Sequence, residues 1–208
     1  MQTTYTCRSE KNHIVFKNQS QDIEMSIPDF EKLIPRRQRQ KIPMTSKMAL
    51  ALFKQYALDE KLITMGANPK NTPMIICNRY ANWDFVSETM TPDIGLTLNN
   101  VNNYVATAWF PASIQGFLTI EYGNTGEAIT LATDDKELLS ATVESFLNNK
   151  NSPAIILGTF ECFPKKIANQ EILESHDFAF GAISIIPNHA TTDSILPIIN
   201  LHQGLYQQ

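Results

Sequence analysis

The stretch GEAITLATDDKELLSATVESFL, Gly126 to Leu147, reads as a buried strand that passes through a sharp polar turn into an amphipathic helix. AITLAT is short and apolar, while Leu139, Val143, Phe146 and Leu147 recur at the three- and four-residue spacings that share one helix face. Asp134 or Asp135 can cap that helix by accepting the backbone N–H groups of its first turn. Many α/β enzymes place a nucleophile in such a strand-to-helix turn, and this one offers Thr133, Asp134 and Asp135.

On either side lie other apolar runs. MIIC, Met74 to Cys77, and PAIILGTF, Pro153 to Phe160, are continuous, as strands covered on both faces are. FAFGAISIIP alternates in places and suits an edge or antiparallel strand, and HIVF, His13 to Phe16, is a short first strand with polar flanks. The segment IPDFEKLIPRRQRQKIP, with its three prolines and basic run, is an irregular approach to the helix TSKMALALFKQYALDEKL. That helix carries Met44, Met48, Leu52 and Tyr56 on one stripe, with Ala49, Phe53 and Ala57 beside them and Thr45 or Ser46 as its cap.

WDFVSETM is a second helix with Asp84 near its start, and Pro92 to Trp109 mixes helix and loop. PASIQGFLTIEYG fits a helix with Pro111 in its first turn and Gly123 as terminator, although its β-branched residues leave a strand open. The element order predicts an α/β fold in one domain spanning 1–208. Its sheet is mixed and mostly parallel, with about five strands, one of them antiparallel, covered by helices.

The chain has 208 residues, is 43% hydrophobic and has a formal net charge of −4, which suits one substantial core and a surface not built for nucleic acid. Cys7, Cys77 and Cys162 are odd in number and unpaired in spacing, so neither a disulfide framework nor a metal site is expected, and a cytoplasmic location fits. No run has the length of a membrane span, and no apolar signal core opens the chain. His13, His176, His189 and His202 stand singly, without metal-ligand spacing.

Three strings carry a resemblance: IPRRQRQKIPMTSKMALAL, MIICNRYANWDFVSETM and FPASIQGFLTIEYGNTGEAITLAT, the last with Gly116, Gly123 and Gly126 in place. Together they resemble the N-terminal half of a β-ketoacyl synthase of the thiolase-like fold, above all the short ketosynthase-like chain-length-factor proteins of aryl-polyene biosynthesis. The likeness runs from about Ile34 to Phe163. In an active ketosynthase the core strand leads into an elbow whose cysteine is activated as a thiolate at a helix N-terminus. By the same alignment, Leu131, Ala132 and Thr133 take the places of the threonine, alanine and cysteine, and Asp134 and Asp135 follow.

The resemblance therefore implies a non-catalytic subunit without the nucleophile. The second ketosynthase half, which supplies two histidines for decarboxylation, is also expected to be absent. It implies a full-length ketosynthase as heterodimer partner, no cofactor, and a role in shaping the acyl or polyene pocket. It also puts Trp109, Phe110, Gly116, Phe117 and Tyr122 near the subunit interface or acyl channel, where core packing explains some of them equally well. Arg36, Arg37, Arg39 and Lys41 would suit an acidic acyl carrier protein, or simply form a solvated segment.

Cys77, at the end of a core strand, reads as buried and inert, and Cys7 and Cys162 as loop residues. Capping accounts for Asp134 and Asp135. The competing readings are a small hydrolase or transferase that uses Thr133, Asp134 and Asp135, and a self-associating structural module.

Overall fold

The computed structural model describes residues 3–10, 12–80, 82–89, 105–149, 151–163 and 179–205. The chain opens with a meander of β1 (Thr3–Glu10), β2 (His13–Lys17) and β3 (Asp22–Ser26), followed by α1 (Ile27–Leu33), α2 (Met44–Gln55) and α3 (Leu58–Thr64). Next come β4 (Met74–Cys77), α4 (Trp83–Thr89), α5 (Val105–Ala108), α6 (Ser113–Tyr122) and β5 (Ala128–Leu131). The described chain closes with α7 (Lys136–Asn148), β6 (Ala154–Cys162), β7 (Ala179–Pro187) and α8 (Thr192–Gly204).

The described strands join one sheet in the order β3-β2-β1-β7-β6-β4-β5, so the α/β class holds, but among the described residues there are seven strands rather than about five. Only the pairings of β4 with β5 and β6 are parallel; the other four are antiparallel, so the sheet is mixed without a parallel majority. The extra strands escaped the sequence reading because they are polar. Among the described side chains of β1 only Tyr5 and Cys7 are fully buried, and in β3 only Ile23 and Met25 are partly so, alternating with charged or hydroxyl side chains. Antiparallel strands with one wet face carry that weak signal.

Two cores flank the sheet. One lies under α1, α2, α3 and α6 and includes Phe16, Phe30, Met48, Leu52, Ile76 and Phe160; the other lies under α7 and α8 and includes Ile75, Leu139, Val143, Leu157 and Ile199. Alternate residues of β6 feed the two, which is why its sequence is apolar throughout. Burying each large side chain of this kind contributes roughly 1.5–3 kcal/mol. Phe160 lies against two bare positions: a Cβ on Gly181 or on Gly158 would come within 2.7–2.8 Å of its ring.

Several local expectations shift by a residue or two. Pro43, not Thr45 or Ser46, is the N-cap of α2. The helix starts at Met44, so both hydroxyls fall inside its first turn and are fully buried. PASIQGFLTIEYG is a helix, as expected, but it starts at Ser113, which leaves Pro111 in the turn before it. Gly123 terminates it in the left-handed region at φ 63°, its N–H donating to the Thr119 carbonyl. Cys7 and Cys162 are strand residues rather than loop residues, and both are buried. Most of the Pro92–Trp109 stretch, the polar run after Phe163 and His176 lie outside the described residues.

Candidate functional site

β5 is placed by the turn that precedes it. The Asn124 side-chain amide donates to the carbonyls of Pro69, at 2.6 Å, and Thr72, at 2.9 Å, while its Oδ1 accepts the Gly126 N–H at 2.8 Å. Gly126 then passes so close to the 71–72 backbone that an added Cβ would meet the Thr72 carbonyl oxygen at 2.8 Å. Beyond β5 the Asn78 N–H donates to the Leu131 carbonyl at 3.0 Å, holding the start of the elbow against the end of β4.

In the elbow the three candidate side chains face separate tasks. Asp135 is the N-cap of α7, its Oδ1 accepting the N–H groups of Glu137 at 2.8 Å and Leu138 at 3.1 Å. Asp134 forms an ion pair with Arg79 across the ends of β5 and β4. The Thr133 hydroxyl accepts the Asp135 N–H at 3.0 Å. These bonds diverge, whereas a hydrolytic triad needs a base directed at its nucleophile. The helix end that would stabilise a thiolate faces the Asp135 carboxylate instead.

Beneath the elbow, the carboxyl ends of β4 and β6 hold a buried polar cluster. Asn82, in the left-handed region at φ 59°, accepts hydrogen bonds from the Thr45 hydroxyl and, at 3.2 Å, from the Asn78 amide. Its own amide donates to the Ala108 carbonyl at 2.9 Å and to Ser113 Oγ at 2.8 Å, tying α2, β4, α5 and α6 together. Glu161, with no exposed surface, accepts the backbone N–H groups of Arg79 and, at 3.2 Å, Tyr80.

Nearby, His202 joins Thr159 Oγ1 at 2.8 Å and Ser184 Oγ at 2.9 Å, and Ser184 meets Thr4 Oγ1 at 2.6 Å. Burial pushes this imidazole down to about 3, so it is neutral at pH 7. Cys77 is indeed buried: burial, reinforced by the Glu161 charge and opposed by a hydrogen bond with Thr159, pushes its thiol up to about 12. Such a thiol is not a nucleophile. Arg79, Asn82 and Glu161 were missed in the sequence, whereas His202, read there as a single histidine outside any metal site, is a buried core residue with both ring nitrogens bonded. The usable signal was Thr159 and Glu161, polar residues within a run that is otherwise apolar.

The remaining candidates divide. Trp109 and Phe110 are 48% and 62% exposed, and Trp109 lies 5.6 Å from the Trp83 ring. Phe117 and Tyr122 pack on the α2 core, Tyr122 with its ring 4.9 Å from Phe53, and the Cα of Gly116 faces open space. Arg36, Arg37, Arg39 and Lys41 share the turn after α1, but Arg37 meets Glu121 at 3.4 Å and Arg39 donates to the Ile34 carbonyl at 2.9 Å. A pocket of about 350 Å³ is lined by Ser9, Arg39, Met44, Lys47, Cys162 and Phe163 among others, and the elbow residues do not line it.

No protein-family model and no curated protein matches the chain. Solved structures do. In the complex described as "Ketosynthase (ApeO) in Complex with its Chain Length Factor (ApeC) from Xenorhabdus doucetiae", the similar chain superposes with a TM-score of 0.59 at 8% identity, over 97% of this chain and 88% of that one. The chain has the ketosynthase-like fold. A second ketosynthase-like match is described as "AntDE:AntF (apo): type II PKS acyl-carrier protein in complex with its ketosynthase bound to the hexaketide". It has a TM-score of 0.60 at 20% identity over 80% of this chain, which spans about half, 53%, of that one. Among the described residues, no helix is long and apolar enough to cross a membrane.

Proposed function

We propose that the chain is a non-catalytic ketosynthase-like subunit of the chain-length-factor type. It pairs with an active ketosynthase and helps to shape the pocket in which an acyl or polyene chain is extended. The elbow carries this reading: by the sequence resemblance Thr133 takes the nucleophile's position, and its hydroxyl is engaged by the Asp135 N–H, while carboxylates occupy the following two positions. Among the described residues, the bond to the Thr133 hydroxyl comes from a backbone N–H and not from a base that would activate it.

The likeness, over nearly its full length, to a chain in a ketosynthase–chain-length-factor complex supports pairing. So does β5, the terminal strand of the sheet among the described residues. Met74 and Asn78 donate to the Glu127 and Leu131 carbonyls, so the odd-numbered residues face β4 and the backbone groups of Ala128 and Thr130 face outward. An open strand with no charged side chain is suited to association. Arg36, Arg37, Arg39 and Lys41, in the turn after α1, are the carrier-protein contacts of this reading.

Co-expression with the full-length ketosynthase encoded nearest to this chain, with a tag on this chain only, tests it by the native mass of what is purified. A one-to-one heterodimer in which only the partner is labelled by an acyl thioester is expected. Recovery of a monomer or homodimer alone, or acyl labelling of this chain, would refute the reading.

A further inference from the structure

Glu161 sits in a strand whose every residue is buried, and a carboxylate there needs dedicated partners. It has them in consecutive backbone N–H groups, Arg79 directed at Oε1 and Tyr80 at Oε2. Successive N–H groups converging on one anion form a nest, a receptor made of fixed backbone dipoles. This nest lies just past the carboxyl end of β4, between its parallel neighbours β5 and β6, and α/β sheets take their ligands at such ends. Donors of this kind also stabilise oxyanions in acyl transfer, because they need no reorganisation when charge appears.

We propose that the Arg79–Tyr80 turn is a receptor for a small carboxylate or acyl oxyanion, and that Glu161 is its built-in occupant. The inference goes beyond pairing and does not depend on a partner. The turn is held in place from both sides. Asn78 is bonded to Leu131 and Asn82, and the Arg79 side chain is drawn outward to Asp134, its guanidinium 5.3 Å from the Tyr80 ring. With its own carboxylate in the nest, the crevice is closed to an acyl carbonyl. A glutamine could offer its oxygen to one N–H group only and would set an amide N–H against the other.

The test is chemical rescue in the full chain. Glu161→Ala is expected to melt well below the wild type, and added formate or acetate to restore about 5 °C saturably, with the Arg79 and Tyr80 amide resonances shifting along the same curve. The wild type, whose nest is filled by its own carboxylate, should show no saturable response, nor should Glu161→Gln, whose side chain still blocks the nest although it satisfies only one N–H group, and sodium chloride at equal ionic strength should not substitute. If Glu161→Ala is unfolded without additive, recovery of its near-ultraviolet circular dichroism in formate supports the receptor. Failure to recover, or equal stabilisation of all three proteins, overturns it.

Discussion

The two edges of the sheet are built on opposite plans. At one end, β3 points Asp22, Glu24 and Ser26 outward, with Asp22 paired to Lys17 at 2.8 Å and Glu24 in contact with His13 Nε2 at 3.2 Å. At the other, β5 is AITL, uncharged, with Ile129 37% exposed. Charge on an edge strand repels further pairing, and its absence invites it. One molecule thus carries a guarded end and an open end, and the proposed partner is expected at the open one.

The strongest way to break that contrast is to guard β5. Ile129→Lys should weaken capture of the ketosynthase roughly a hundredfold, about 2.7 kcal/mol, as read by titration calorimetry, while leaving the melting temperature of the free chain unchanged. Next comes the placement of the open strand. Gly126→Ala drives a methyl group into the Asn71–Thr72 backbone and should cost about 2 kcal/mol in urea unfolding, with faster hydrogen exchange along β5 but not along β3.

Removing the cap beyond the open strand is milder. Asp135→Ala leaves the Glu137 and Leu138 N–H groups without their acceptor and should lower stability by about 1 kcal/mol, measured the same way. The smallest effect on stability is expected at the other end. Asp22→Val combined with Glu24→Val should change folding by less than about 0.5 kcal/mol yet make the free chain self-associate in light scattering. A chain that stays as it was after that change would show that charge is not what guards β3.

The open end was legible in the sequence and the guarded end was not. The spacing of Leu139, Val143 and Leu147, and an aspartate just ahead of it, announced α7 and its cap, because a helix face and an N-cap are local facts. The runs MIIC and PAIILGTF announced buried strands for the same reason. β1 and β3 gain their order from neighbours far along the chain: β1 pairs with β7, so that Thr4 lies opposite Ser184. No local pattern marks that pairing.

The elbow likewise divides by range. Thr133 and Asp135 bond within two or three residues and were read correctly as a turn and a cap. Arg79 with Asp134, Glu161 with the Arg79–Tyr80 turn, and Asn82 with Ser113 are joined only by tertiary folding. Polar residues inside an apolar strand, such as Thr159 and Glu161, are the trace such contacts leave in a sequence.

Hydrogen exchange on the purified complex with the ketosynthase tests the central claim most directly, since the free and bound chains can be compared amide by amide. Protection of Ala128 and Thr130 on binding, with β3 unchanged, is the predicted result. A complex that forms but protects β3, or leaves both edges exchanging as in the free chain, would contradict the account.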